Sequence, residues 1–406
     1  MTPAPAPPLS GIRVLDLSNV LAGPFCGYQL ARQGAEVIKI ENPVGGDLAR
    51  RLGGDPRMNA RGMGLSFVAV NVTKRSVAID LKHAEGREVF LRMVERADVV
   101  LENFRPGVMA RLGLDYATLA ARNPRLVYCA ISGFGQEGPW AERPAYDQII
   151  QGLSGAMSVT GDATSAPLRA GFPISDTYGG LTAAFAICAA LLEARQSGRG
   201  RRIDLALMEA TLATMGWVVS NYLNAGIEPR PMGNENFSAA PSGAFATKAG
   251  LLNIAANEDK QYRALCDLIG RPDLKTDPRF AERRARLDHR AALNREITAA
   301  LAARDATEWE ELLNAAGVPA GRIVTVPEAL AGGQLADRGF VETIAMTGPD
   351  GQALRVTRPG FVQDGGFAQP SPPPALGADT RVLLQEHGYD AAAIARLAAS
   401  GAVKLA

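Results

Sequence analysis

Short aliphatic runs alternate with longer amphipathic stretches through about the first 130 residues of the chain. Apolar positions three and four residues apart predict a helix, whereas four to eight consecutive aliphatic residues predict a buried strand. The predicted strands cover residues 12–18, 35–41, 76–81, 98–104 and 125–132. Helices are predicted between them, over residues 23–33, 84–97 and 116–124. This alternation predicts an α/β fold in which helices cover a Rossmann-like parallel sheet.

The rest of the pattern predicts a second, smaller domain. After Asp176, the run "YGGLTAAFAICAALLEARQ" predicts a long buried helix that ends at the glycines and basic residues of "SGRG". From about residue 230 onward, short strands and charged helices follow in a different rhythm. We therefore predict a large domain over residues 1–215, a small α+β domain over 230–325 and a C-terminal segment, 340–406, that returns to the large domain.

The charge balance and the cysteines exclude several classes of protein. With 43 Lys and Arg against 42 Asp and Glu, no overall field attracts nucleic acid or an anionic membrane. We find no apolar run of the roughly 18 residues that span a membrane, and "MTPAPAPPLS" does not resemble a secretory signal. The cysteines, Cys26, Cys129, Cys188 and Cys266, form no CxxC pair, which argues against a metal site and against disulfides. We predict a cytoplasmic protein with neither a membrane nor a nucleic-acid partner.

The candidate chemistry rests on carboxylates. The turn after the first predicted strand reads "SNVLAGPFCG" rather than GxGxxG, and P-loop, HExxH and GxSxG motifs are absent. Three histidines in the whole chain leave little material for a catalytic triad or a histidine-rich metal site. Asp176 of "GFPISDTYGG" lies where the long apolar helix is predicted to begin. It is either a helix cap, the usual role of an aspartate there, or a reactive carboxylate.

Six segments carry a resemblance to a known family. They read "VLDLSNVLAGPFC", "GAEVIKIENP", "DLKHAEGR", "ADVVLENFRPGVMARLGL", "NPRLVYCAISGFGQEGP" and "GFPISDTYGG". On these segments, nearly the whole chain resembles the class III CoA-transferases, the family of formyl-CoA transferase, the carnitine CoA-transferases and the methylacyl-CoA racemases. The resemblance implies an interlocked homodimer in which each chain threads through the other. It also implies coenzyme A as substrate and product, with no permanently bound cofactor.

The same resemblance implies that Asp176 is the nucleophile. A carboxylate that attacks a thioester gives a mixed anhydride, and the released CoA thiolate converts this anhydride into an aspartyl-CoA thioester. An acceptor acid then takes the CoA. Gly179 and Gly180 leave room beside Asp176 for a ligand to approach the backbone.

The resemblance also implies where CoA binds. Lys82 and Arg111 correspond to family residues near the nucleotide phosphates, although surface cations of this kind are more often only solvated. Asn103 and Phe104 follow the end of a strand, where open parallel sheets bind ligands. Tyr146 and Asp147 of "AYDQIIQG" complete the predicted set. Lys74 and Arg75 are weaker candidates for the phosphates.

Two alternatives to a transferase remain open. A 2-methylacyl-CoA racemase would need a second base, but where the racemases have histidine this chain has Tyr146, and an ordinary tyrosine pKa near 10 makes a poor base. A non-catalytic CoA-binding protein would keep the phosphate-binding residues without a reactive carboxylate.

The substrates are predicted only by family frequency, as a succinyl-CoA-like donor and a small carboxylic or dicarboxylic acceptor. Formyl-CoA transferase has glutamine and arginine where this chain has Leu21 and Asn42, so we do not expect formate or oxalate as a substrate. The segment 233–243 is either a lid or an ordinary loop. Glu258 matches an acidic residue of the family and is either catalytic or structural.

Overall fold

The computed structural model describes residues 6–406, which divide into two compact units. The first unit contains the residues up to Ala156, together with Arg169–Ile227 and Gly333–Ala406. The second contains Met157–Leu168 and Glu228–Gly332. The short segment 157–168 thus lies with the second unit, although it falls within the range that the sequence analysis assigns to the large domain.

A seven-stranded sheet forms the centre of the first unit. Its strands are β1 (Arg13–Asp16), β2 (Glu36–Glu41), β3 (Lys74–Ile79), β4 (Val99–Glu102), β5 (Val127–Ser132), β6 (Arg202–Ala206) and β12 (Val403–Lys404). They lie in the order β12-β3-β2-β1-β4-β5-β6, and all pairs are parallel except β12 with β3. Both faces of the central strands are buried, which is why these strands are continuous apolar runs in the sequence. The predicted α/β fold with a parallel sheet is confirmed.

Helices cover both faces of this sheet. The helices of the first unit are α1 (Ala22–Arg32), α2 (Pro56–Ala60), α3 (Leu65–Asn71), α4 (Ala84–Val94), α5 (Val108–Arg111), α6 (Tyr116–Arg122), α7 (Asp147–Leu153), α8 (Ile174–Ser197), α9 (Leu207–Thr214), α10 (Trp217–Ala225), α16 (Gly333–Asp337), α17 (Thr380–Glu386) and α18 (Ala391–Ala399). Helices α1, α8 and α9 pack on one face, where Val14, Val37 and Leu101 point. Helices α4, α6, α17 and α18 pack on the other face, against Leu15, Ile38 and Val100.

The longest helix, α8, has 24 residues and is long and apolar enough to cross a membrane by length and composition alone. The expectation that no apolar run reaches about 18 residues was therefore wrong. Helix α8 packs against α1, α9 and β5, and 44% of its most apolar window is buried. Core helices of folded domains have the same length and composition.

The second unit is a small α+β structure. An antiparallel sheet of β7 (Ser242–Ala246), β8 (Leu251–Ala255) and β9 (Ala320–Arg322) packs against helices. The helices are α11 (Asp259–Leu268), α12 (Arg283–Asp288), α13 (Arg290–Leu301), α14 (Ala306–Ala315) and α15 (Val326–Ala331). Its core is built around buried aromatic residues that include Phe245, Tyr262 and Trp309.

The C-terminal part of the chain completes the first unit. The hairpin of β10 (Val341–Thr347) and β11 (Ala353–Thr357) lies against α1, where Arg32 and Glu342 form an ion pair at 2.6 Å. A proline-rich extended stretch then leads to α17 and α18, and β12 closes the edge of the large sheet beside β3.

Candidate active site

Asp176 lies inside the first turn of α8 and does not cap it. The helix begins at Ile174, its N-cap position is Pro173, and no side chain of that residue accepts a hydrogen bond. The expected start of the helix, after Asp176, was therefore too late. The capping alternative for Asp176 is wrong, because Pro173 holds the N-cap position and Asp176 lies within the helix itself.

Asp147, the first residue of α7, supplies the missing cap from another part of the chain. Its Oδ1 accepts hydrogen bonds from the backbone N–H groups of Ser175 (2.8 Å) and Asp176 (3.3 Å). Its Oδ2 accepts one from Nε2 of Gln151 (2.6 Å), whose own Oε1 accepts the N–H of Ala170 (2.8 Å). Helix α7 thus fixes the segment that leads into α8, and with it the position of Asp176.

The environment of Asp176 makes its charged form costly. Burial, and secondarily the negative charge of Asp147, raises the pKa of Asp176 to about 7. A carboxyl group with this pKa is partly ionised near neutral pH and poorly solvated when it is. Perturbed carboxyl groups of this kind cluster at functional sites.

Close packing of α8 on α1 orients Asp176. A β-carbon at Gly180 would lie only 2.6 Å from the carbonyl oxygen of Ala22, so the two helices touch at this glycine. Residues four apart share one face of a helix, so Asp176 lies on the face of α8 that packs against α1, the helix that follows the loop of residues 17–21. In this loop Val20 has a φ of 68°, a left-handed conformation that is rare for a β-branched residue.

Two of the predicted CoA-binding residues, Lys82 and Phe104, line one cavity of about 200 Å³ in the first unit. Its other lining residues include Asn19 and Asn42, beyond the carboxyl ends of β1 and β2. The carboxyl edge of a parallel sheet is the usual ligand crevice. The Lys82 side chain is exposed.

The other predicted CoA-binding residues lie around this cavity in different ways. The Asn103 side chain bonds to the backbone N–H and carbonyl of Asn19, both at 2.8 Å. Arg111 is exposed on α5, between Val108 and Leu112, which line the cavity. Tyr146 is 70% exposed just before α7, and both oxygens of Asp147 accept hydrogen bonds from protein donors.

Lys74 and Arg75, the weaker phosphate candidates, are engaged within the protein. Nζ of Lys74 is buried at 2.8 Å from Oδ2 of Asp16. Arg75 pairs with Glu36 and Glu386 at 2.7 and 2.9 Å.

The sequence analysis missed a buried charge cluster, which we define as Asp16, Lys39, Asp47 and Lys74. Lys39 and Asp47 pair at 2.9 Å, Lys74 pairs with Asp16, and all four side chains are 0% exposed. Burial opposes ionisation of Asp47, but the Lys39 charge together with the hydrogen bonds from Lys39, Val20 and Ala49 outweighs it and lowers the pKa of Asp47 below its usual value. Charged residues in the middle of apolar strand runs, such as Lys39 in "EVIKIE", were the available signal.

Two of the predictions concern the second unit: a lid formed by residues 233–243, and a second acidic residue, Glu258. Glu258 forms a capping box at the start of α11 and an ion pair with Lys260 at 3.0 Å. Asn234, Asn236 and Ser242, from the segment 233–243, line a groove of about 480 Å³ together with apolar residues such as Ile254 and Pro319. The groove offers hydrogen-bonding groups, but the lid remains a prediction.

The described residues, 6–406, contain no group of three His, Cys, Asp or Glu side chains that could hold a metal ion. All four cysteines are free. The histidines lie at the start of α4, before α13 and after α17, so none stands in the first turn of α7 or α8.

Comparison with known proteins gives a consistent result. The model of CoA-transferase family III matches residues 9–380. The chain is 39% identical over 389 residues to the succinate–glutarate CoA-transferase of Agrobacterium fabrum, covering 94% of this chain and 96% of that protein. It is 41% identical over 330 residues to the acetyl-CoA:oxalate CoA-transferase of Acetobacter aceti, covering 81% and 84%. The crystal structure of a CAIB/BAIF family protein from Brucella suis matches with a TM-score of 0.82 and 35% identity, over 94% of this chain and 100% of that one.

Proposed function

Since this chain belongs to CoA-transferase family III and is a CoA-transferase, we propose that it moves CoA from an acyl-CoA thioester to a small carboxylic or dicarboxylic acid through intermediates on Asp176. The observation that carries this proposal is the state of the Asp176 carboxyl group. It has a pKa of about 7, and it stands at a helix start that another residue caps.

The raised pKa favours covalent chemistry. A carboxylate that is poorly solvated gains stability when it becomes a neutral ester, anhydride or thioester, because the buried charge disappears. At neutral pH enough of the group is ionised to attack. A cap-only aspartate would have its charge stabilised by backbone N–H groups, which lowers its pKa.

The proposed reaction consists of four successive acyl transfers. The Asp176 carboxylate attacks the donor thioester, the C–S bond breaks, and CoA thiolate leaves an acyl-aspartyl anhydride. The thiolate attacks the aspartyl carbonyl, which releases the donor acid and leaves an aspartyl-CoA thioester. The acceptor carboxylate attacks this thioester, and the thiolate returns to the acceptor carbonyl, which restores free Asp176.

Replacement of Asp176 tests the covalent mechanism. Asp176→Asn should lose exchange by several orders of magnitude without a lower melting temperature, since asparagine preserves shape and removes a costly charge. The wild type, incubated with acyl-CoA and then hydroxylamine or borohydride, should show a mass change on the peptide that contains Asp176. Asp115→Asn is the matched control, because Asp115 does cap a helix through the N–H of Thr118 at 3.0 Å. Transfer at a near wild-type rate by folded Asp176→Asn contradicts the mechanism.

For the substrates, we propose a succinyl-CoA-like donor and a C4 or C5 dicarboxylic acceptor. The relative from Agrobacterium fabrum is named for succinate and glutarate, which supports this choice. The relative from Acetobacter aceti is named for oxalate, so oxalate belongs in the panel although Leu21 and Asn42 argue against it. Mass spectrometry of acyl-CoA products, with each donor offered against mixed acids, identifies the pair.

For CoA itself, we propose that Lys82, Phe104 and Arg111 hold the nucleotide end. Asn103 and Asp147 contribute to CoA binding indirectly, because their hydrogen bonds hold neighbouring loops. Tyr146 contributes its exposed side chain, just before α7. Arg111→Ala should raise KM for acyl-CoA about tenfold and leave KM for the acid unchanged, because charge-assisted bonds to phosphate lie far from the thioester. Arg122→Ala, an exposed arginine on α6, is the control. A raised KM for the acid alone would refute the placement of Arg111.

We also propose that the protein is an interlocked homodimer. Leu181, Phe185 and Leu192 form an exposed apolar stripe on α8, at helical spacing, and exposed apolar stripes of this kind commonly bind another protein surface.

A further inference from the structure

The buried charge cluster lies between the large sheet and α1. Asp16, Lys39 and Lys74 point to the same face of β1, β2 and β3, as their register shows. A β-carbon at Gly27 of α1 would lie 2.8 Å from Oδ2 of Asp16 and 2.9 Å from Nζ of Lys74, so the helix passes directly over the cluster.

Stability alone does not account for this arrangement. Taking charges out of water costs free energy that their mutual attraction repays only in part, and apolar residues of similar volume usually stabilise a core at least as well. The contacts of the cluster show a more specific role.

Each of the four residues bonds to the segment before or at the start of α1. Oδ1 of Asp16 accepts from the N–H of Ser18 (3.0 Å), and Nζ of Lys39 donates to the Ser18 carbonyl (2.7 Å). Oδ1 of Asp47 accepts from the N–H of Val20 (3.0 Å). Nζ of Lys74 donates to the carbonyl of Pro24 (2.9 Å).

These bonds hold a conformation that the segment would not adopt alone. The φ of 68° at Val20 is sterically unfavourable for a β-branched residue and persists only where surrounding contacts determine it. Leu21 occupies the N-cap position of α1 and makes no side-chain hydrogen bond there. The first backbone N–H groups of a helix have no intrahelical acceptor, and in α1 the N-cap side chain does not supply one. Gly180 contacts the first turn of α1 at Ala22, and Asp176 lies one helical turn earlier on the same face of α8.

We propose that the buried charge cluster is a positioning device for the transferase reaction: it holds residues 18–21 so that the first turn of α1 stands against Asp176. Lys39 and Asp47 are then positioning residues that act without touching the substrate. The inference rests on the proposed role of Asp176 as nucleophile.

The double variant Lys39→Met/Asp47→Asn tests the inference, because it removes one ion pair and leaves the other, Asp16 with Lys74, intact. We expect kcat to fall about 10- to 100-fold, as small displacements at a reacting group do, with KM for acyl-CoA unchanged. The rate at which the Asp176 adduct forms should fall by the same factor, while the melting temperature stays close to that of the wild type. The control Arg32→Met/Glu342→Gln removes the ion pair between α1 and β10, away from residues 18–21, and should leave kcat unchanged.

The outcomes separate the two proposals. If the wild type forms no adduct on Asp176, the covalent mechanism fails and the inference fails with it. If the wild type forms the adduct and the double variant forms it at a similar rate, only the positioning inference is overturned. Should the double variant not fold, Ser18→Ala decides: it deletes only the hydroxyl that donates to Asp16, and kcat within error of the wild type refutes the inference.

Discussion

At the scale of single residues, two carboxyl groups at the starts of α7 and α8 have opposite surroundings. Asp147 accepts hydrogen bonds on both oxygens, whereas no hydrogen bond within residues 6–406 reaches the carboxylate of Asp176. The negative charge of Asp147 helps to raise the pKa of Asp176. In the proposed mechanism the two carboxyl groups then have different tasks, Asp147 as a support and Asp176 as the reactive group.

Asp147→Asn should move the pH profile of the reaction. Asp176 must be ionised to attack, so kcat/KM of the wild type should rise with pH and level off above about 7. Removal of the Asp147 charge lowers the pKa of Asp176 while burial still raises it, and the midpoint should therefore shift to lower pH by about half a unit to one unit. The measurement is kcat/KM for acyl-CoA from pH 5 to 9.

The control for this variant is Gln151→Ala, which removes the bond from Gln151 to Asp147 but keeps the negative charge. Its midpoint should stay where it is in the wild type. An unchanged midpoint in Asp147→Asn would show that the carboxylate of Asp176 does not control the rate.

At the scale of elements, the apolar runs predicted the central strands of the large sheet closely, because strands buried on both faces have no polar positions to blur the signal. The predicted start of α8, at Asp176, was too late, since the first turn is capped by Asp147, 29 residues before Asp176 in the chain. The buried charge cluster escaped prediction for the same reason. Its pairs join different strands and loops, and no local pattern identifies the partner of Lys39 or Lys74.

Matched glycine substitutions test how firmly α8 is seated. Gly180→Ala should lower the stability of the fold by about 1 to 3 kcal/mol, because the new methyl group would meet backbone, the carbonyl of Ala22 at 2.6 Å. Gly179→Ala should cost less, because its methyl group would meet the end of the Leu207 side chain, which can rotate away. Thermal melting compares the two variants; equal losses, or a greater loss in Gly179→Ala, would contradict the contact as described.

At the scale of the whole molecule, the apolar stripe on α8 bears on assembly. Leu181 is 47% exposed, Phe185 76% and Leu192 65%, which is unusual for large apolar side chains spaced four and then seven residues apart along one helix face. The proposed homodimer would cover them.

Light scattering at micromolar concentration should therefore give the mass of two chains. If the chains are interlocked, tagged and untagged dimers should not exchange subunits without unfolding, whereas a dimer of separately folded chains should exchange. A stable mass of one chain would refute the dimer. Exchange under native conditions would leave a dimer but exclude interlocking.

The edge strand β12 has a consequence for the order in which the protein is made. Residues 403 and 404 pair with strand β3, which is synthesised more than 320 residues earlier. Most of the second unit, residues 228–332, is one continuous stretch of chain and can fold while translation continues. The large sheet cannot be completed until residues 403 and 404 have left the ribosome. During this interval the open edge of β3 is exposed to other nascent chains, and pairing with residues 403 and 404 is what protects it.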